Sequence, residues 1–437
     1  MGLFRDHGAA IQLYDDKKEI LLLSFLTFIV SILCVRDVAD IQINQVYILF
    51  AMTIPVIFLP YKYLVYYTCF VAVIIKGVNA YILLLIYIGL LIKNKNQSIA
   101  KYFFPIILLL VEFVDSIYFL SLDFYILYAS YILLFFYILF DNDSRVNPDK
   151  CLQYLSYGLF VTVSLVSIGV LKNPLDSVFF QEGASRAVMG VVDSDKLTHF
   201  ALNANELAYY SVVLISILFL GRDRIKAPLL IYFVMLSAAI VSGLLSQSRT
   251  WVMAVILVAI LYILQGSFSN KLKFMFWAIL FIFLLYNVHS QFFDMAKEGI
   301  QSRFDDASIK TAGNRTALFS EYNNSFFEHP EFWITGTGAM YYKDVIKASN
   351  SIHNGTQQIY ICYGILGVLV YLSAIVVYYK KNCIGIKRGI ISYIPICTTL
   401  FFIQSLQFLN PFHLMLPVAL TTYAIRKRHL SISGINQ

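Results

Sequence analysis

The chain has 437 residues, 59% of them hydrophobic, 16% aromatic and only 14% charged, with a formal net charge of +7 and a mean hydropathy of +0.71. A soluble domain carries roughly 25% charged residues, so this composition cannot cover a soluble fold. It points instead to an all-α, polytopic membrane protein, because backbone in lipid must satisfy its own amides.

Apolar runs long enough to cross about 30 Å of hydrocarbon recur at 20–35, 44–60, 63–75, 80–92, 102–120, 124–140, 151–171, 205–220, 229–245, 250–265, 274–288, 357–379, 390–407 and 411–425. That is about 14 transmembrane helices, or 12 if the runs around the Lys76-Gly77-Val78-Asn79 hairpin and other short runs merge. With the N-terminus cytoplasmic, the inward segments are 1–19, 61–63, 93–101, 141–150, 221–228, 266–273, 380–389 and 426–437, and 21 of the 33 Lys/Arg fall there. The positive-inside rule therefore places both termini in the cytoplasm. The charge of +7 reads as a topology signal and not as a nucleic-acid-binding face. No small-residue cleavage site follows the first apolar run, so 20–35 reads as an uncleaved anchor.

The chain is expected to form one membrane domain, 1–437, with two long outward loops at 172–204 and 289–356. The second loop holds six Lys/Arg against eight Asp/Glu. Within it, Thr316 to Phe327 can form an amphipathic helix using Ala317, Leu318, Tyr322 and Phe326, ended by His329-Pro330. Phe326, Phe327, Phe332, Trp333, Tyr341 and Tyr342 suit the interfacial region, which predicts that much of the loop lies on the outer leaflet. Cys34, Cys69, Cys151, Cys362, Cys383 and Cys397 all fall outside both loops, so no disulfide is expected there, and no Cys/His metal spacing occurs.

Arg249, in Ser246-Gln247-Ser248-Arg249-Thr250, sits in a very short turn at the outer membrane boundary. It reads either as a snorkelling arginine or as a bidentate partner for a phosphate or diphosphate. Arg186 and Arg315 face the same compartment. Singly they are ordinary surface charges, but together with Arg249 they could clamp a diphosphate without a metal. His353, in His353-Asn354-Gly355 just before span 357–379, is the best acid/base candidate, since a neutral imidazole can take a proton from an attacking hydroxyl. Glu112 and Asp115, at i and i+3 in the fifth span, form either a polar seam between helices or a functional pair. Asn203-Ala204-Asn205-Glu206 opens the eighth span, where an Asn cap is an adequate explanation.

In order along the chain, these pieces resemble the O-antigen polymerase and O-antigen ligase superfamily. Three stretches carry the likeness. They are Arg186-Ala187-Val188-Met189-Gly190 followed by Asn203-Ala204-Asn205-Glu206-Leu207-Ala208, then Ser246-Gln247-Ser248-Arg249-Thr250, then Arg315…His329-Pro330…Gly336-Thr337-Gly338…His353-Asn354…Gly364-Ile365-Leu366-Gly367. The resemblance implies a metal-independent, cofactor-free glycosyltransferase of the bacterial inner membrane, with 289–356 as a periplasmic catalytic loop. It implies that His353, Arg249 and Arg315 are catalytic, and that Arg186, Asn205, Asn354, Gly336 and Gly338 bind diphosphate or glycan. The implied partners are undecaprenyl-diphosphate-linked oligosaccharide, membrane lipid and a chain-length regulator protein, with no nucleic acid. Ser351 and Ile352 stand where the ligases often carry a second histidine, which favours a polymerase of repeat units into O-antigen or capsular polysaccharide. The alternatives are a ligase moving finished glycan to lipid A core and, from another class, a flippase for lipid-linked oligosaccharide.

Overall fold

The computed structural model describes residues 3–75, 78–94, 99–119, 122–141, 143, 145–172, 202, 204–221, 228–263, scattered positions from 272 to 301, 315–339, 342–347, 352 and 354–382. Among them the chain is helical and without strands. The first ten helices are α1 (Leu3–Asp37), α2 (Gln45–Phe58), α3 (Tyr61–Ile74), α4 (Ile82–Lys93), α5 (Ala100–Phe119), α6 (Leu122–Leu139), α7 (Pro148–Lys172), α8 (Ala204–Gly221), α9 (Leu229–Ser246) and α10 (Arg249–Ile263). They follow the first ten apolar runs closely. The exception is α1, which extends about 17 residues before its apolar stretch, because a helix does not end where lipid ends. The expected spans at 390–407 and 411–425, and more than half of 274–288, lie outside the described residues.

Local chemistry sets the boundaries. The Asn44 side chain caps α2 by accepting from the Val46 amide at 2.9 Å. Pro60 stands at the N-cap of α3, where its missing N–H costs nothing. The Lys93 ammonium donates to the carbonyls of Val56, Ile57 (3.0 Å) and Leu59 (2.6 Å). A cation thus neutralises the negative end of α2 and satisfies its orphan carbonyls.

α3 is the core helix: every residue in it except Lys62 is buried. It lies against α7, where a Cβ on Gly158 would come within 2.4 Å of the Phe70 carbonyl oxygen, and the Thr162 hydroxyl donates to Val73 O at 2.9 Å. A small residue that lets two backbones meet is the usual device for packing helices without a hydrophobic drive.

Polar contacts orient the bundle. At one end Lys62 pairs with Asp15 (2.9 Å), Lys150 with Glu19, and buried Lys101 with buried Asp141 (2.9 Å). Asn94 there donates to the hydroxyls of Tyr61 and Tyr137 at 3.1 and 2.9 Å. These are residues of segments 1–19, 61–63, 93–101 and 141–150, brought together as the charge pattern predicts. At the other end Lys172 pairs with Asp40 at 2.5 Å. α8 and α9 are antiparallel, joined by Ser211 Oγ to Ala239 O (2.6 Å) and Tyr232 OH to Leu218 O (2.7 Å). Ser167 of α7 bonds to Ser242 of α9 at 3.0 Å, which sets the end of α9 at the Lys172 end of the bundle.

Among the described residues, four helices are long and apolar enough to cross a membrane: Asp15–Asp37, Asp149–Lys172, Leu229–Ser246 and Gln357–Ala374. Large apolar side chains such as Phe50, Ile57, Ile92, Val114 and Leu230 are 63–78% exposed on the outside. Lipid covers such a surface and water does not. The architecture is that of a helical membrane protein.

Candidate functional site

Arg249 is placed by a hairpin between α9 and α10. Gln247 ends α9 in the left-handed region (φ +44°), its amide bonding to Leu244 O at 3.0 Å. Ser248 then opens α10, its carbonyl accepting from Trp251 and Val252 at 3.0 and 3.3 Å. The Trp251 indole fills the space a Cβ on Gly243 would need, with ring atoms 1.9 Å from that position. Its Nε1 donates to Ser211 Oγ at 2.8 Å, which ties the turn to α8. Arg249 is thus the first residue of α10, half-buried, and without an ion-pair or hydrogen-bond partner among the described residues.

Asn205 comes to the same place from the first turn of α8, where its Oδ1 accepts from Ser248 Oγ at 3.4 Å. Beside it Glu206, buried to 8% exposure, faces Tyr131 and Tyr210. Two helices begin here, α8 at Ala204 and α10 at Arg249. The positive ends of their dipoles add to the guanidinium instead of opposing it. A cation in that position gains nothing from its own helix, and the local field favours an anion.

The second candidate region is the loop after α11 (Arg315–Phe327), with α12 (Tyr342–Ile346) and α13 (Gly355–Asn382). α13 is broken at Gly364, whose φ of +59° and ψ of −156° are open only to glycine. An unbroken helix would pair Ile365 N with Ile361 O and Leu366 N with Cys362 O. Here the loop takes all four groups. Thr337 N donates to Ile361 O (3.1 Å), Gly338 N to Cys362 O (2.9 Å), Ile365 N to Trp333 O (2.9 Å) and Leu366 N to Ile334 O (3.0 Å). Gly336 (φ +82°) and Gly338 (φ +77°) shape the inserted segment, and a Cβ on Gly336 would lie 2.3 Å from the Cys362 carbonyl. The amides of 336 to 339 are all engaged within the protein: Gly336 N reaches Phe332 O at 2.7 Å, and Ala339 N reaches Glu112 Oε1 at 3.0 Å. This turn forms a joint with the helix.

α11 docks on the start of α13. Asn354 caps α13 by accepting from Gln357 N at 3.0 Å. The Gln357 side chain donates to Phe319 O (2.8 Å) and Asn323 Oδ1 (2.9 Å) of α11. Tyr322 and Phe326 are buried, as the helical spacing predicts, while Ala317 is exposed. Phe327 and Trp333 are 60% and 41% exposed, but Phe326 (4%) and Tyr342 (1%) pack inward, with the Tyr322 and Tyr342 rings 5.9 Å apart. His329 and Glu331 pair at the surface at 3.0 Å. The Glu331 backbone amide and this imidazole hold the Glu331 carboxyl below its ordinary range.

The two regions share one end of the bundle. Lys101 marks the basic end of α5, and Glu112 lies eleven residues further along, about 16 Å at 1.5 Å per residue. Tyr363 faces Glu112, while the Tyr371 ring lies tilted beside Phe136, centroids 6.3 Å apart, towards the basic end. α13 therefore starts at the end opposite the basic cluster, where α9 also ends. Of the expected site residues, the fold brings Arg249 and Asn205 together and places Asn354, Gly336 and Gly338 in α13 and its joint. Arg315 begins α11, but its side chain lies outside the described residues, as do His353 and Arg186. Glu206 and the acceptor role of Glu112 were not singled out from sequence. Their partners are far apart in the chain.

Among the described residues no three His, Cys, Asp or Glu side chains converge as metal ligands. Neither protein-family models nor curated proteins give a match to this chain.

Proposed function

We propose that the protein is a membrane glycosyltransferase that joins undecaprenyl-diphosphate-linked oligosaccharide repeat units into O-antigen or capsular polysaccharide. The observation that carries this reading is Arg249. It is a half-buried guanidinium without a partner among the described residues, seated where two helices begin and beside Asn205. A diphosphate supplies the missing counter-charge. In transfer, the bond between the anomeric carbon and the diphosphate oxygen breaks, and charge grows on that oxygen. Arg249, joined by Arg315 and Arg186, stabilises the departing group, most effectively at a low-dielectric boundary. His353 takes the proton from the acceptor hydroxyl as the new glycosidic bond forms. By the positive-inside rule the basic end of the bundle is cytoplasmic, which makes the Arg249 end periplasmic and puts the loop 289–356 on that side of a bacterial inner membrane.

The test uses the purified protein in lipid nanodiscs with defined lipid-linked repeat units and no core acceptor. Elongated lipid-linked glycan is expected, and it is lost in Arg249→Ala and His353→Ala. A ligase makes nothing longer under these conditions, so absence of elongation with an active preparation would sink the polymerase reading. Full-length product from Arg249→Ala would remove the arginine from the mechanism.

A further inference from the structure

We propose that Glu112, a buried carboxylate of α5, is a positioning residue that latches the 333–339 segment into the break of α13. The geometry stands apart from any titration. Glu112 is 1% exposed, and its Oε1 accepts from the Ala339 amide at 3.0 Å across 227 residues of sequence. That amide directly follows Thr337 and Gly338, whose own amides fill the break. Removing the carboxylate takes that acceptor from a buried amide. Glu112 joins the segment, bonded to α13 and through Trp333 to α11, to a helix of the bundle.

The consequence reaches the start of α13. Trp333 is bound through its carbonyl to Ile365 and through its indole Nε1 to Phe326 O of α11 at 3.2 Å. α11 is in turn held by Gln357, one turn beyond the Asn354 cap. The latch, the joint, α11 and the cap form one connected chain of hydrogen bonds, so Glu112 sets the position of the loop from inside the bundle. A functional role for that position rests on the glycosyltransferase reading. The latch itself does not.

The test measures amide hydrogen exchange of the peptide covering 335–340 in the full-length protein in nanodiscs, alongside glycan elongation, for wild type, Glu112→Leu and Glu112→Gln. Leucine removes the acceptor, whereas glutamine keeps a carbonyl oxygen at the same place. Glu112→Leu is expected to speed exchange about 10- to 100-fold, the range for taking the acceptor from a buried amide, and to shorten the product. Glu112→Gln should restore both. Exchange in Glu112→Leu within about twofold of wild type would overturn the latch, as would exchange in Glu112→Gln as fast as in Glu112→Leu. Should Glu112→Leu not accumulate in the membrane, Glu112→Asp withdraws the oxygen by one methylene and asks the same question, with wild-type exchange overturning the proposal. Fast exchange in Glu112→Leu with no elongation by wild type would leave the latch standing and count against the enzymatic reading instead.

Discussion

Replacing Gly364 with alanine should spring the loop out of α13. The docked joint holds four backbone hydrogen bonds between 333–338 and α13, whereas an unbroken helix would regain two of its own, so docking is ahead by two bonds. At about 1 kcal/mol each, plus about 1 kcal/mol for the Ala339–Glu112 bond, the docked state is favoured by about 3 kcal/mol. Alanine at φ +59°, ψ −156° is strained by about 1–3 kcal/mol. Its Cβ would also stand 2.5 Å from Ile334 O and 2.6 Å from Trp333 O, both acceptors of the joint. Backbone so placed can move only by stretching the 2.9 and 3.0 Å bonds to Ile365 and Leu366. Even about 3 kcal/mol lost raises the open population about 100-fold, at tenfold per 1.4 kcal/mol. Chymotrypsin cleavage after Trp333, followed by mass spectrometry on detergent-solubilised protein, reads that population, because the scissile carbonyl is itself a ladder acceptor and cleavage tracks local opening. A Gly364→Ala protein as resistant at Trp333 as wild type would refute the exchange between loop and helix.

Three further outcomes are expected. Arg249→Lys keeps the charge but loses the planar fork and should lower glycan elongation about 10- to 100-fold, while thermal stability stays within about 0.5 kcal/mol of wild type because no partner within the described residues is lost. Lys101→Met leaves Asp141 buried without its ammonium and should cost about 3–5 kcal/mol, read as a fall in detergent melting temperature; the double variant with Asp141→Asn should recover much of it. Gly243→Ala forces the Trp251 indole out of its seat and away from Ser211. A destabilisation of about 1–3 kcal/mol and a red-shifted indole emission should accompany it, and unchanged fluorescence would show that the turn tolerates a methyl group.

Hydropathy was enough to place α2 through α10 within a few residues, because an apolar stretch in lipid has no stable form but the helix. The gathering of Asp15, Lys62, Lys101 and Asp141 at one end was equally legible, since cation placement follows topology. The joint was not. Gly364 lies inside an apolar run that periodicity reads as one helix, and its conformation is imposed by a segment about 30 residues earlier. Glu112 showed its burial in the sequence but not its partner, since Ala339 offers a backbone amide and carries no side-chain signal. Asn205 looked like a helix cap; its approach to Ser248 depends on α8 and α9 packing antiparallel, a tertiary fact. The amphipathic spacing of α11 was read correctly at Tyr322 and Phe326. The aromatics after it were expected to be interfacial as a group, and they divide because α12 turns Tyr342 inward against Tyr322.

The two regions at this end of the bundle are built on opposite principles. At the joint every amide from 336 to 339 has an acceptor, and the broken turn of α13 has its carbonyls and amides met by the loop. These four amides are therefore not available to a ligand. At the Arg249 turn the balance is reversed: a guanidinium with five donors stands at a helix start, where the dipole adds to its charge. An anion binds where donors are left over. Arg249 therefore has spare donors for an anion, while Gly336 and Gly338 shape a turn whose amides are bonded to the protein. The division also gives each part a distinct failure. Loss of a glycine or of Glu112 should free the loop while the arginine site stays intact, and loss of Arg249 should empty the anion site with the loop still docked.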